Sequence, residues 1–286
     1  MNDPKTQEQR LDWLVEEFKE DSGTYRDLQT PDEPESKRQL LRSLMNIRMP
    51  RPIGKDILRV QDAYLAARAG EKGIVTPDEI PVLCRSVEGT KSAEEMQGAE
   101  GAGSISLWQG DITRLACDAI VNAANSQMLG CFQPCHNCID NCIHTYAGVQ
   151  LRLECERQMA LLREKYGSGY EQPTAVPMIT DAYNLPAKKV IHITGPIIME
   201  SLTREHEQQL EQCYGSTLDL CREHGLKSVA FCCISTGVFR FPNDRAAEIA
   251  VDTVQRWLDD TGYEIRVIFN VFKDEDRQLY ERLLKG

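Results

Sequence analysis

Residues 122–144 gather most of the side chains in this sequence that could do chemistry. The stretch begins with an asparagine pair, Asn122 and Asn125, and contains one acid, Asp140. It also carries four thiols and two imidazoles, namely Cys131, Cys135, His136, Cys138, Cys142 and His144. Because thiolate sulfur and imidazole nitrogen are ligands that Zn²⁺ prefers, this concentration predicts a metal site. The acid among them predicts that the metal assists a reaction.

The composition of the whole chain limits the partners that we expect. The 286 residues include 44 acidic and 33 basic side chains, and the formal net charge is -11. This charge opposes binding to phosphate backbones and anionic lipid, so we expect no nucleic-acid partner and no membrane partner. The eleven cysteines, an odd number in a chain without an apolar leader, favour free or metal-bound thiols in a reducing compartment. We therefore expect a cytoplasmic protein.

The first part of the chain has the pattern of a helical region. Apolar residues recur there at the spacing of one helix face in three segments. These segments are residues 11–18, 40–47 and 57–65. The capping signal Thr76 to Glu79 predicts a short fourth helix, and three glycines between Glu94 and Ser104 break any further one. We place a domain boundary there, with a helical N-terminal extension over residues 1–97 and a second domain over residues 98–286.

In the second domain, short apolar runs alternate with longer amphipathic segments. The predicted strands are residues 105–109, 119–123, 175–179, 189–193, 228–234 and 265–271. The predicted helices are residues 140–164, 203–224, 243–259 and 275–284. Buried strands that alternate with helices favour an α/β fold, in which a parallel or mixed sheet is covered on both faces and ligand loops follow the strand ends.

Two loops at predicted strand ends could contact a ligand. Gly110 and Asp111 close the first strand, and the acid could accept hydrogen bonds from an amino group, although this pair also makes ordinary turns. Residues 235–242 follow a buried strand and precede a helix. Small residues there let backbone N–H groups approach a phosphate, whereas a simple connection is the commoner role of one glycine after a strand.

Together these features resemble a macrodomain, the three-layer α/β/α module with a mixed central sheet that binds ADP-ribose. The resemblance covers about residues 99–286 and rests on Gly110 to Ile112, Asn122 to Asn125, Asp140 to His144, Ser235 to Pro242 and Val267 to Phe272. Hydrolytic macrodomains commonly carry a glycine-rich loop where this chain has Gly130 to Cys138. That departure, with the helical N-terminal extension, is similar to the zinc-containing, sirtuin-linked branch of the family.

The resemblance implies how a nucleotide would lie. Asp111 and Ile112 would meet the adenine end, with Phe272 as a stacking partner. A loop after a buried strand would hold the diphosphate and reach the distal ribose. This loop comprises Ser235, Thr236, Gly237, Val238 and Phe239. Arg240 stands where many macrodomains have glycine, and it would either contact phosphate or face solvent.

The resemblance also implies a zinc site with Cys131, His136 and Cys138 as ligands and one coordination position left open. Cys135 is the main rival ligand, because it forms a Cys-x-x-Cys spacing with Cys138. If Cys135 joined the other three, the shell would close and the zinc would be structural. We interpret Cys142 as a small packing residue and His144 as a core histidine bonded to backbone.

These assignments predict a zinc-dependent protein mono-ADP-ribosyl hydrolase. Asn125, with Asn122, would hydrogen-bond the distal ribose, and Asp140 has the position of the acid near the anomeric carbon. The catalytic residues would be Asp140 and Asn125. Zn²⁺ would either orient the ribose hydroxyls or acidify the attacking water. The expected partners are ADP-ribose, an ADP-ribosylated protein and a functionally linked sirtuin that acts as an ADP-ribosyltransferase.

Three other functions use some of the same residues. A non-catalytic ADP-ribose reader needs neither the acid Asp140 nor the metal loop. An O-acetyl-ADP-ribose deacetylase attacks a related ester. A zinc-stabilised structural domain leaves Asn122, Asn125 and the phosphate loop unexplained.

Overall fold

The computed structural model describes residues 4–85 and 103–285. The helices in these ranges are Gln7–Ser22 (α1), Pro34–Ile47 (α2), Lys55–Lys72 (α3), Ile139–Ala147 (α4), Val149–Tyr166 (α5), Arg204–Glu223 (α6), Asn243–Thr261 (α7) and Asp274–Lys285 (α8). The strands are Val82–Arg85 (β1), Ser104–Gln109 (β2), Ala119–Ala123 (β3), Met178–Asp181 (β4), Lys189–Ile193 (β5), Ser228–Phe231 (β6) and Arg266–Val271 (β7). Among these described elements, no helix has the length and apolar character needed to cross a bilayer.

The strands form one mixed, seven-stranded sheet in the order β1-β2-β7-β6-β3-β5-β4. The five inner strands run parallel to one another, whereas the edge strands β1 and β4 are antiparallel to their neighbours. Helices cover both faces, which confirms the predicted α/β fold with a mixed sheet. Because parallel strands end at the same edge, the loops after β2, β3, β5, β6 and β7 lie along one side of the sheet.

The central strands are buried on both faces. Every residue of β6 is buried, and so are the first four residues of β3. Continuous apolar runs of this kind need a helical layer on each side of the sheet. The same burial fixes the register of the strands, and so it fixes where the site loops begin.

The N-terminal helices form a second, smaller apolar core. Its buried residues are Leu11, Leu14, Val15, Phe18, Leu41, Leu44, Met45, Val60, Tyr64, Leu65 and Val149. Val149 is the first residue of α5, so this core also packs against the second part of the chain. The predicted domain boundary at residues 97 and 98 lies outside the described residues and stays a prediction.

The predicted strand over residues 228–234 ends earlier, at Phe231, and the predicted elements differ from the structure at four further places. The edge strand β1 was not predicted, and the predicted fourth helix is a single 3₁₀ turn at Pro77–Glu79. The predicted strand at residues 175–179 begins later, at Met178, because Pro177 has no N–H to donate to a strand ladder.

The fourth difference is that the predicted helix over residues 140–164 is two helices. They are separated at Gly148, whose φ of 93° is unfavourable for residues with a side chain. A Cβ on Gly148 would also lie 2.6 Å from Gln61 Nε2 and from Gln150 Oε1. The amphipathic pattern continues across this break, which is why it predicts one helix.

Candidate functional site

The structure brings the three predicted zinc ligands together in the loop that leads from β3 to α4. Cys131 and His136 lie in the loop, and Cys138 is the N-cap residue of α4. Their ligand atoms all lie within 4.8 Å of one another, and Cys131 Sγ is 3.6 Å from His136 Nδ1. Burial raises the pKa of the Cys138 thiol to about 12. The raised pKa favours the protonated thiol, whereas a bound divalent cation favours the thiolate, because the thiolate is the form that binds metal.

The donor set fits Zn²⁺. Two sulfurs and one imidazole nitrogen are typical zinc ligands, and three protein ligands leave one of four tetrahedral positions for a substrate or water. All three residues are partly exposed, so the group is open to solvent on one side. An open coordination position is typical of reactive zinc sites rather than of closed structural ones.

The rival ligand Cys135 and the neighbouring Cys142 both contact the N-terminal helix α2. Cys135 has a φ of 52°, and its Sγ lies 3.2 Å from Ser43 Oγ and 3.3 Å from the Gln39 carbonyl oxygen, both on α2. Cys142 Sγ lies 3.6 Å from Nη2 of Arg42, also on α2. The geometry therefore favours Cys135 and Cys142 as contacts between the loop region and the N-terminal helices.

His144 is a core residue, as expected, but its predicted hydrogen bond to backbone is wrong. Neither ring nitrogen has a hydrogen-bond partner among the described residues. The ring packs against Gly130, where an added Cβ would lie 2.6 Å from the imidazole, and Nε2 is 3.6 Å from Asp140 Oδ1. The side chain of a helical residue leans toward the preceding turn, whose carbonyls already accept from N–H groups of α4.

Asp140 lies in a buried polar network. It is 5% exposed, and the Asn122 amide nitrogen donates to its Oδ1 at 2.7 Å. Burial raises the pKa of Asp140 to about 6, although the Asn122 hydrogen bond and the charge of Arg152 both act to lower it. The same Asn122 nitrogen is 3.1 Å from Nδ1 of His192, whose Nε2 is 3.0 Å from Thr180 Oγ1.

The imidazole of His192 is neutral, because burial lowers its pKa to about 3. Its Nδ1 therefore accepts from Asn122, and its Nε2 carries the proton. His144, Cys155 and His192 have ligand-type atoms within 4.8 Å of one another, but both His192 nitrogens already have polar neighbours. The buried His192 ring therefore orients the Asn122 amide, and the Asn122 amide orients the Asp140 carboxylate.

Asn125 shapes the start of the loop. Its Oδ1 accepts from the backbone N–H of Gln127 at 3.1 Å, and its amide nitrogen donates to the Gly130 carbonyl at 3.3 Å. Gly130 has a φ of 79°, so the chain turns sharply just before Cys131. Asn125, which is predicted to bind the distal ribose, thus also sets the path of the loop.

The predicted phosphate loop lies at the carboxyl end of β6. Ser235 is buried with a φ of 66°, and its Oγ has no hydrogen-bond partner among the described residues. Two other buried atoms at this edge of the sheet also have no hydrogen-bond partner among the described residues. They are Thr194 Oγ1, just after β5, and Asn122 Oδ1, near the end of β3. Buried polar atoms are nearly always paired, so three unpaired ones at one sheet edge indicate a place for a polar ligand.

Thr194 and Gly195, which follow β5, were not predicted as site residues. A Cβ on Gly195 would overlap Ser235 Oγ, so only glycine lets this loop approach the phosphate loop so closely. The two loops are also joined by a 2.9 Å hydrogen bond from the Ile198 N–H to the Phe239 carbonyl. A Thr-Gly-Pro sequence directly after a buried strand is the signal that could have identified them.

The predicted adenine end lies at the carboxyl ends of β2 and β7. Asp111 Oδ1 accepts from the Thr113 N–H at 3.0 Å, and Oδ2 is 2.5 Å from Lys72 Nζ of α3. Although burial raises the pKa of Asp111, the bonds to Lys72 and Thr113 outweigh it and hold the pKa below the usual value. Phe272 follows β7 and is 76% exposed, whereas Ile112 is buried in the core. An anionic acceptor and an open aromatic ring thus flank this end.

The chain is similar to known proteins over nearly its full length. The family profile described as Macro domain matches residues 121–250. A protein-ADP-ribose hydrolase of Treponema medium is 46% identical over 280 residues, which is 98% of this chain and 99% of that protein. The chain belongs to the macrodomain family. A second relative, a protein-ADP-ribose hydrolase of Staphylococcus aureus (strain MSSA476), is 41% identical over 97% of this chain and 96% of its own.

A solved macrodomain structure is also similar. The Oceanobacillus iheyensis macrodomain with ADP has a TM-score of 0.57 and 33% identity, and the match covers 64% of this chain and 90% of that one. The predicted macrodomain fold is therefore confirmed. The prediction of an enzyme of the hydrolase class is confirmed by the relatives that match over nearly the full length.

Proposed function

We propose that this macrodomain hydrolyses the bond between ADP-ribose and a protein side chain, with Zn²⁺ held by Cys131, His136 and Cys138. The observation that carries the proposal is the meeting of these three ligand atoms at the start of a helix that bears the buried acid Asp140. Binding alone would require neither the acid nor the thiols. Similarity to two proteins named protein-ADP-ribose hydrolase supports the substrate class.

ADP-ribose would bind along the carboxyl edge of the sheet. The adenine amino group would donate to the Asp111 carboxylate, and the adenine ring would stack on exposed Phe272. The diphosphate would accept hydrogen bonds from residues 235–239, where the φ of Ser235 shapes the turn. The distal ribose would then reach Asn125 and Asn122, and Oδ1 of Asn122 has no partner within the described structure.

The chemistry is a hydrolysis at the anomeric carbon of the distal ribose. Bound Zn²⁺ supplies a Lewis acid to the site. The Asp140 carboxylate, oriented by Asn122, holds the attacking water and accepts its proton. The water oxygen bonds to the anomeric carbon as the bond to the protein side chain breaks. The proton that Asp140 accepted then passes to the departing side chain, which restores the Asp140 carboxylate. Asn125 keeps the ribose oriented during this exchange.

The experiment incubates the full chain with a mono-ADP-ribosylated protein and measures free ADP-ribose and the unmodified protein by mass spectrometry. The proposal predicts that both products appear in equal amounts over many turnovers. Tight binding of ADP-ribose without any release would contradict the proposal and support the reader. The same assay with O-acetyl-ADP-ribose tests the deacetylase, whose products would be acetate and ADP-ribose.

We also propose where the substrate comes from and in which compartment the reaction takes place. The substrate would be made by a functionally linked sirtuin that transfers ADP-ribose to protein, and the reaction would take place in the cytoplasm. Both parts are supported by the zinc-type loop of residues 130–138 and by the composition of the chain. Co-purification of the chain with a cytoplasmic sirtuin and its modified substrate is the measurement that tests them.

A further inference from the structure

One face of the N-terminal helix α2 lies against the loop of residues 131–138, called here the 131–138 loop. The contacting residues are Gln39, Arg42, Ser43 and Asn46. Their spacing of three and four residues puts them on a single side of the helix. The N-terminal helix α2 thus contributes a continuous polar surface to the candidate zinc site.

Arg42 is the central contact on this face. Its Nη2 donates to the His136 carbonyl at 2.7 Å, and Nη2 and Nε donate to Oδ1 of Asn141 at 2.8 and 3.2 Å. An arginine has donors only, so the oxygen of the Asn141 amide must face it. The Asn141 amide nitrogen is therefore turned toward the 131–138 loop.

Asn141 then reaches the remaining parts of the loop. Its amide nitrogen donates to the Gln133 carbonyl at 2.9 Å and to the Cys131 carbonyl at 3.4 Å. Its backbone N–H donates to Cys138 Sγ at 3.4 Å. Arg42 and Asn141 together contact the backbone of Cys131 and His136 and the thiol of Cys138, which are the three candidate ligands.

Asn46 fixes the loop at its outer bend. It is 1% exposed, its Oδ1 accepts from the Cys135 N–H at 2.9 Å, and its amide nitrogen donates to Thr145 Oγ1 at 2.9 Å. This bond holds Cys135 in its left-handed backbone conformation, with the thiol turned toward α2. The bend thus directs the Cys135 thiol to α2, away from the group formed by Cys131, His136 and Cys138.

We infer that Arg42 is a positioning residue of the zinc site and that α2 is the surface on which the 131–138 loop is ordered. The inference rests on the proposed function, since it requires that the loop hold Zn²⁺. Without Arg42, the Asn141 amide could rotate and the His136 carbonyl would lose its partner. Metal binding would then have to order the loop, and this loss of conformational entropy weakens the affinity.

The experiment measures the Zn²⁺ affinity of the full chain by competition with a chromogenic chelator. The variants are Arg42→Met, Arg42→Lys and, as a matched control, Arg38→Met. Arg38 lies on the same helix and pairs with Glu35 at 3.0 Å. Circular dichroism and thermal unfolding of the metal-free proteins establish that each variant is folded, and Arg42→Lys carries the test if Arg42→Met does not fold.

We expect Arg42→Met to raise the Zn²⁺ dissociation constant by about 10–100-fold, the usual effect of losing a residue that orients metal ligands. Arg42→Lys should weaken binding less, because the ammonium keeps the charge but not the planar fork. Arg38→Met should bind as the unaltered chain does.

Equal affinity in Arg42→Met and the unaltered chain would overturn this inference and leave the zinc proposal standing. An equal loss in Arg38→Met would overturn it too, because the effect would then be a general one of the helix. If the unaltered chain bound no Zn²⁺, the zinc proposal would fail and the inference with it.

Discussion

At the scale of single residues, Asn122 links the core to the candidate site. Its amide nitrogen donates to Asp140 and approaches neutral His192, so one buried side chain connects the acid to the interior of the sheet. Asp140 cannot rotate freely while this bond is made. The acid therefore has a fixed direction before any ligand binds, which is a requirement for positioning a reacting water.

Replacement of Asp140 by its neutral isostere tests this role. We expect Asp140→Asn to lower the rate of ADP-ribose release by about 10²–10⁴-fold, the usual contribution of a general base. Single-turnover assays on a mono-ADP-ribosylated protein measure this rate. ADP-ribose binding, measured by calorimetry, should change little, because Asn keeps the shape of the side chain. Full turnover in Asp140→Asn would remove Asp140 from the mechanism.

Gly195 gives a second prediction at this scale. A Cβ there would overlap Ser235 Oγ, so Gly195→Ala should push the two phosphate-side loops apart. We expect weaker ADP-ribose binding by calorimetry and a free energy of unfolding lower by about 1–3 kcal/mol in urea titrations. The control is Gly215→Ala in α6, where an added Cβ meets nothing within 4 Å. That helical substitution should be neutral or stabilising by roughly 0.5–1 kcal/mol. Unchanged ADP-ribose affinity in Gly195→Ala would argue against this loop as a ligand contact.

At the scale of elements, Arg152 joins α5, the end of α2 and the loop before α4. Its guanidinium is buried and donates to the carbonyls of Leu129, Asn46 and Arg48 at 2.7 Å each, and to that of Cys131 at 3.3 Å. Burial lowers the pKa of Arg152 to about 10. Arg152 remains a cation at neutral pH. Its hydrogen bonds connect carbonyls at the end of α2 and in the loop before α4 to the helix α5.

Arg152→Met should therefore leave several buried carbonyls without partners. We expect the free energy of unfolding in urea to fall by about 3 kcal/mol or more, since hydrogen bonds to a charged group contribute about 1.5–3 kcal/mol each. Arg157→Met, on the exposed face of the same helix, should leave the stability unchanged, because Arg157 makes a local, solvent-exposed ion pair with Glu154. Equal stability of the two variants would contradict the joining role.

Elements with a strong local signal could be predicted from the sequence. The strands at residues 119–123 and 189–193 agree to the residue, because four consecutive residues of each are buried. The edge strand β1 could not be predicted, because it has only four residues and is specified by pairing with β2. The break at Gly148 was missed for a related reason, since its crowding by Gln61 arises only in the folded chain.

The same distinction applies to the candidate site. Cys131, His136 and Cys138 are close in sequence, and their residue types alone indicate a metal. Arg42 contacts Asn141 across 99 positions of the chain, and no local pattern marks that partnership. Lys72, which pairs with Asp111, was missed for the same reason. Contacts of long sequence separation follow from the fold and not from a motif.

At the scale of the whole molecule, the N-terminal helices flank both ends of the candidate site. Arg42 of α2 contacts the 131–138 loop, and Lys72 of α3 pairs with Asp111 at the predicted adenine end. The strand β1, from the same part of the chain, extends the sheet at its edge. The N-terminal region is therefore part of the architecture that forms the site, although the macrodomain profile matches only residues 121–250.

The central claim is that Cys131, His136 and Cys138 hold a Zn²⁺ ion that the reaction needs. The most direct measurement is ADP-ribose release from a mono-ADP-ribosylated protein by the full chain, assayed with its metal, after chelation, and after addition of one equivalent of Zn²⁺. Metal content is measured on each sample by mass spectrometry. We predict that release is lost on chelation, returns with Zn²⁺, and does not return in Cys131→Ala. Undiminished release by a chain verified to be free of zinc would contradict the claim.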